Sequence, residues 1–305
     1  MIATPLRLEP DGAAAGATSP VDPRFPVGTD WGAGEVGLWW LGQAGFALRH
    51  AGTLVLIDPY LSDSLAEKYR GRRYPHVRLV PPPVDPEQVA CAAVLCTHGH
   101  TDHLDPVTLT ALHRAGRPAV VVPAAETDLA LARGASPDRL IGLVAGEVTE
   151  PVPGLRVAAI PSAHEELVLD EHGRHRHLGY LVSLGEVTVY HSGDCVPYPG
   201  QADQVRAAAG RLGRTVDVAL LPVNGRDAER AGNGVPGNFH VEEAAQLCLE
   251  AGIPTLIGHH IGLFDFNTVA PQEVQRRLEA LLHAPRWLLP ELGLRYRLSR
   301  TEVAA

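Results

Sequence analysis

Ala93-Val94-Leu95-Cys96-Thr97-His98-Gly99-His100-Thr101-Asp102-His103 is the stretch on which the reading of this chain turns. Residues 93–97 are a short apolar run that predicts a buried strand. The six residues after it hold three imidazoles and a carboxylate. In a turn, alternate side chains can face one side, so His98 and His100 can share one cation while Asp102 and His103 reach a neighbour. Neutral imidazole and carboxylate oxygen suit Zn, Mn or Fe(II), and the absence of cysteine from the cluster argues against a purely structural zinc knot. A merely solvated polar loop fits an HxHxDH string after an apolar strand poorly.

Two cations need more donors than this loop supplies, so others must come from distant strand ends. His164 follows Val157-Ala158-Ala159-Ile160, Asp194 follows Val187-Thr188-Val189-Tyr190 in His191-Ser192-Gly193-Asp194, and His259-His260 follow Thr255-Leu256-Ile257. Loops from one sheet edge commonly converge on one pocket. Adjacent strand residues point oppositely, so one of His259 and His260 is the expected ligand. His191 is expected to make a structural hydrogen bond beside the site. His172, His175 and His177 fall in a polar hairpin tip, where solvation explains the first two.

The rest of the chain sets the frame. Its 305 residues suffice for one large domain or two small ones, and 45% apolar with 20% charged residues is ordinary globular usage. A net charge of −9 repels phosphate backbones, so nucleic acid is not an expected partner. Four cysteines without a CxxC pair disfavour a disulfide scaffold or thiolate zinc site, and no apolar stretch reaches the roughly 18 residues that span a bilayer. Residues 1–30 show no basic-then-apolar leader, so a cytoplasmic location away from membranes is expected.

Residues 1–34, rich in Gly, Ala and Pro, are expected to be a loosely ordered arm, with a single domain over 35–305. Glycine-punctuated apolar runs predict strands at 38–41, 46–48 and 54–57, and further strands are expected at 119–122, 155–160, 179–184, 187–190, 216–221, 255–257 and 294–298. Asp105-Pro106 predicts the start of a helix running to about 115, with other helices at 126–133, 203–210, 241–251 and 271–283. Residues 66–86, with Pro81-Pro82-Pro83, predict a surface loop over a site. The mixed order predicts an α/β fold of two sheets with helices on their outer faces.

This set of motifs resembles the metallo-β-lactamase superfamily, whose pattern is a strand-end Asp, HxHxDH, a distant His, a distant Asp and a final His. The pattern maps onto Asp58, the 98–103 cluster, His164, Asp194 and His260. The resemblance implies an αββα sandwich of two mixed sheets. It implies one metal held by His98, His100 and His164, a second held by Asp102, His103 and His260, and a bridge from Asp194. Asp102 and Asp194 become the candidate catalytic carboxylates, with Asp58 orienting a ligand rather than binding metal. Leu38-Trp39-Trp40-Leu41-Gly42, Asn224-Gly225-Arg226-Asp227 and Gly237-Asn238 further resemble the L-ascorbate-6-phosphate lactonase (UlaG-like) branch.

That branch implies a metal-dependent hydrolase with two divalent ions, Zn or Mn with Fe also admissible, whose shared hydroxide opens a small anionic lactone or ester. Ser192 and Cys195 lie in no nucleophile motif. Candidate substrate-binding residues are Arg226 and Asn224, which follow a strand, and Tyr60; Arg70, Arg72, Arg73 and Arg230 are further basic residues near the expected mouth. Core packing explains Trp39 and Trp40 equally well. Competing readings are a phosphodiesterase acting on a small phosphodiester or nucleotide, a non-catalytic metal-binding protein, and redox chemistry at iron. Nothing in the sequence forbids a homo-oligomer.

Overall fold

Residues 6–10 and 34–300 are described by the structure, a computed structural model. The strands are Leu6–Pro10 (β1), Val36–Gly42 (β2), Gly45–His50 (β3), Thr53–Ile57 (β4), Ala93–Leu95 (β5), Ala119–Pro123 (β6), Leu140–Leu143 (β7), Val148–Val152 (β8), Leu155–Pro161 (β9), Leu178–Leu184 (β10), Val187–His191 (β11), Val218–Pro222 (β12), Thr255–His259 (β13), Arg286–Leu288 (β14) and Arg295–Arg300 (β15). The helices are Ser64–Lys68 (α1), Pro106–Gly116 (α2), Thr127–Ala132 (α3), Gln201–Leu212 (α4), Ala228–Gly232 (α5), Val241–Ala251 (α6) and Pro271–Glu279 (α7).

One sheet runs β1-β15-β2-β3-β4-β5-β6-β7 and the other β14-β13-β12-β11-β10-β9-β8. Both are mixed: β4 to β7 are parallel beside the antiparallel β2-β3-β4 meander, and β11 to β14 are parallel beside antiparallel β8 to β11. Val55, Ile57, Leu95 and Val121 join Val157, Ala159, Tyr180 and Val182 in the core between the sheets. The alternate residues Leu54, Leu56, Val94, Cys96 and Val120 pack with Leu109 and Leu112 of α2 on the outer face. Strands buried on both faces need apolar side chains at every position, which is why they appear as continuous runs. Helices α4 and α6 cover the other sheet, which completes the αββα sandwich.

Helix ends follow local chemistry. The Asp105 carboxylate accepts from Thr108 N at 3.0 Å ahead of Pro106, and Gly252 closes α6 with φ 70°. Beyond the short helices α1 and α5, which the sequence does not predict, three features depart from expectation. Residues Leu6–Pro10 pair with β15 as an edge strand, although the sequence there predicts only an arm; residues 1–5 and 11–33 of that arm lie outside the described residues. The partly exposed β8 and β14 carry polar residues such as Thr149, Glu150 and Arg286, and β7, Leu140-Ile141-Gly142-Leu143, is apolar but short and interrupted by glycine. Helix α7 stops at Glu279, short of 283, because the chain turns to set β14 beside β13. No helix among the described residues is long and apolar enough to cross a membrane.

Candidate metal centre

The strand ends deliver the site. Immediately after β4, Asp58 takes a left-handed backbone, φ 44°, and its buried carboxylate is saturated by the loop after β5. Oδ1 accepts from Thr97 N at 2.7 Å, and Oδ2 accepts from Thr97 Oγ1 at 2.7 Å and His103 Nδ1 at 2.7 Å. The Thr97 hydroxyl, having donated to Asp58, accepts from His98 Nδ1 at 3.0 Å. Both imidazoles therefore present Nε2 to the cluster. Gly193, φ 63°, makes the opposite approach feasible: a Cβ there would lie 2.7 Å from Thr97 Oγ1, so only glycine lets the loop after β11 come close enough to place Asp194.

Donor atoms gather in three overlapping groups, His98 with His100 and His164, His98 with His103 and Asp194, and Asp102 with His103 and His260, each within 4.8 Å of one another. Every ligand expected from the sequence is in this cluster. Asp194 Oδ1 lies 3.1 Å from His260 Nε2 and 3.4 Å from His103 Nε2, while Oδ2 lies 3.6 Å from His164 Nε2. His98 Nε2 is buried with no hydrogen-bond partner, as is His103 Nε2, whose nearest carboxylate oxygens stand at 3.4 and 3.8 Å. Such orphaned lone pairs are costly unless a cation takes them.

Electrostatics agree with a cation. Burial holds His98 well below the ordinary imidazole range and brings His164 to about 4, keeping both neutral as ligation requires. At His103 burial opposes charge, but the Asp194, Asp58 and Asp102 carboxylates overcome it and raise the ring well above 6.5. Burial also opposes charge on Asp194, and His260 with His103 outweighs it, holding the carboxyl well below its usual range. Carboxylates crowded in a buried pocket demand positive charge. The donor set, nitrogen and oxygen without sulfur, fits a divalent metal.

The remaining histidines sort by contact. His260, with φ 64°, joins the cluster; His259 instead stacks on His191 with ring centroids 5.1 Å apart and sets its edge against Phe46. His191 makes the structural bond expected of it, donating from Nε2 to Ala44 O at 2.8 Å while Nδ1 accepts from Gly193 N at 3.0 Å. His172 is exposed in the turn between Asp170 and Arg174 and His175 is half-buried, but the ring of His177 packs 5.2 Å from His98 and 5.6 Å from His164. Nothing in its polar segment signalled that position.

The cluster opens into a cavity of about 100 Å³ bounded by His100, Asp102, His164 and Asp194 on one side and Lys68, Tyr69 and His76 on the other. The segment foreseen as a loop over a site supplies this second wall. Stacking of Tyr69 on His76 at 4.2 Å and of Tyr74 on Phe266 at 4.6 Å holds it down. A wider cleft of about 940 Å³ between α4 and α6 shares no residue with the cluster. The residues expected to bind substrate are placed elsewhere. Arg226 is engaged bidentately by Glu243 at 2.6 and 2.7 Å, and Asn224 is buried, donating to Asn267 Oδ1 at 2.7 Å. Tyr60 is buried with its hydroxyl accepting from Leu65 N, and none of the three lines the cavity. Arg70 and Arg73 pair with Glu67 and Glu229, Arg230 with Asp227. Trp39 and Trp40 are core residues.

The beta-lactamase superfamily domain family matches residues 53–261, which include every residue of the cluster. This chain belongs to the metallo-β-lactamase superfamily. Within it, a UPF0173 metal-dependent hydrolase of Hyperthermus butylicus is 30% identical over 246 residues, covering 79% of this chain and 90% of the relative, which places the chain in that family. A UPF0173 metal-dependent hydrolase of Aeropyrum pernix is 28% identical over 256 residues, covering 79% and 89%. A metallo hydrolase of Ignicoccus hospitalis shares the fold with a TM-score of 0.61 at 19% identity, over 86% of this chain and 98% of that one. Superfamily membership accounts for the sandwich and for the His and Asp cluster at its edge. It does not single out the lactonase branch.

Proposed function

We propose that this member of the metal-dependent hydrolases holds two divalent cations, zinc, manganese or iron, and opens a small anionic lactone or ester. The observation that carries the reading is the split of Asp194, one oxygen against His260 and His103 and the other against His164. His98, His100 and His164 would hold one cation, Asp102, His103 and His260 the other, with Asp194 reaching both. Cations so held would supply a more acidic water, its pKa lowered from about 15.7 toward neutrality, and positive charge facing the substrate carbonyl.

The chain's own residues do the rest. Asp58 and Thr97 fix the ring orientations of His103 and His98. Lys68 is the one lysine or arginine among the described residues that line the cavity, where its Nζ donates to Thr101 Oγ1 at 3.2 Å, and it would pair with an anionic group of the substrate. Tyr69 and His76 form a flat wall beside it. Neither Ser192 nor Cys195 is a rival nucleophile: Ser192 Oγ donates to Gly193 O, and burial pushes the Cys195 thiol up to about 11.

The test is turnover of a panel of lactones, carboxylate esters and bis-aryl phosphodiesters by protein purified without chelator. Lactone or ester hydrolysis that is lost on chelation and restored by a divalent metal is expected. Full activity in metal-free protein, or turnover of phosphodiesters alone, would overturn the proposal.

A further inference from the structure

Gln43 lies inside the metal centre without belonging to its ligand pattern. It occupies the turn between β2 and β3, fully buried, with φ 51°, a backbone region that non-glycine residues seldom adopt. Its amide nitrogen is 3.3 Å from Asp102 Oδ2, and 3.3 and 3.0 Å from Nδ1 and Nε2 of His260. An atom that near to both ring nitrogens would collide with the carbon between them if it lay in the ring plane. It therefore sits over the face of the imidazole and leaves the ring's in-plane lone pair free.

The main chain of the same residue grips the same histidine. Gln43 O accepts from His260 N at 3.0 Å and from Trp40 Nε1 at 3.0 Å, so the turn and the left-handed His260 are tied across 217 positions of sequence. Gln43 Oε1 is buried with no hydrogen-bond partner. Two of the three donors in the Asp102, His103 and His260 group are thus touched by this side chain. Its side-chain hydrogen bonds go to Asp102 and His260 and not to His98, His100 or His164.

We propose that Gln43 is a positioning residue specific to the second cation. Its N–H donates to Asp102, its amide braces the plane of His260, and its carbonyl oxygen adds a neutral acceptor where carboxylates are already crowded. The strained turn is retained because the amide must reach this point. The inference rests on the two-cation reading above, and its test separates the two.

Chelator-stripped wild type, Gln43→Met and Gln43→Glu are titrated with Zn²⁺ by calorimetry. Methionine keeps the length and removes the amide; glutamate keeps the length and an oxygen at the tip. Wild type is expected to bind two equivalents. Gln43→Met should keep the first at wild-type affinity and weaken the second about 10- to 100-fold, the usual cost of losing a residue that orients ligands. Gln43→Glu should not regain that loss, because a carboxylate at the tip has no N–H to donate to Asp102 and repels it. Unchanged binding in Gln43→Met, or equal weakening of both equivalents, overturns the inference; a wild type that binds a single equivalent overturns the two-cation reading instead. Gln43→Ala serves the same comparison if methionine is not tolerated.

Discussion

Asp58 Oδ2 accepts a 2.7 Å hydrogen bond from His103 Nδ1, and both side chains are fully buried. The bond fixes the tautomer of His103 and aims its Nε2 at the cluster, while the other carboxylate oxygen holds the backbone of Thr97. Asp58→Asn keeps the shape and loses the charge that supports the imidazole as a ligand. Metal affinity should fall about 10- to 100-fold in competition with a chromophoric chelator. Wild-type affinity in this variant would show that the carboxylate serves the fold alone.

Lys68 reaches the cavity from the end of α1, with its ammonium also 5.1 Å from the centre of the Tyr69 ring. Lys68→Ala should raise KM for anionic lactones or esters at least tenfold and leave KM for neutral esters little changed, because only a charged substrate group loses a partner. An equal effect on both classes would remove Lys68 from substrate recognition.

Arg226 supports structure. Its guanidinium meets Glu243, whose carboxylate also accepts from His240 N at 2.8 Å and so caps α6. Arg226→Ala should cost about 1 kcal/mol or less in a urea titration, since the pair is partly exposed, and should leave KM unchanged. A large rise in KM would restore the role expected from its place after a strand.

These cases show where sequence was sufficient. The ligands were legible because each ends an apolar strand, and a sandwich brings such ends to one edge. Arg226 and Asn224 satisfy that same criterion, yet Glu243 and Asn267 claim them through contacts 17 and 43 positions away, which no local pattern reports. Gln43 escaped for the opposite reason: a lone amide in a glycine turn carries no chemical signature until His260 lies against it. Leu6–Pro10 was missed because an edge strand needs a partner, β15, from the far end of the chain.

Acid should destabilise the metal-free protein. Burial holds His98, His191 and His259 below the ordinary imidazole value of 6.5, and brings His164 to about 4 and His177 to about 3. Below pH 6.5 the unfolded chain takes up protons that these folded sites refuse, so stability falls as pH drops from 6.5 toward 4. His103 acts oppositely: with its pKa raised, its contribution is complete at low pH and disappears at high pH. Burial lowers His76, His100 and His175 as well, so eight rings against one set the sign. The Tm of chelator-stripped protein should be lower at pH 5 than at pH 7; an equal or higher value would contradict this balance.

The most direct test of the account is an anomalous-scattering map of crystals grown with Zn²⁺ and recorded at the zinc edge. Two peaks should appear, one among His98, His100 and His164 and one among Asp102, His103 and His260, with Asp194 between them. A single peak, or peaks outside this cluster, would contradict it.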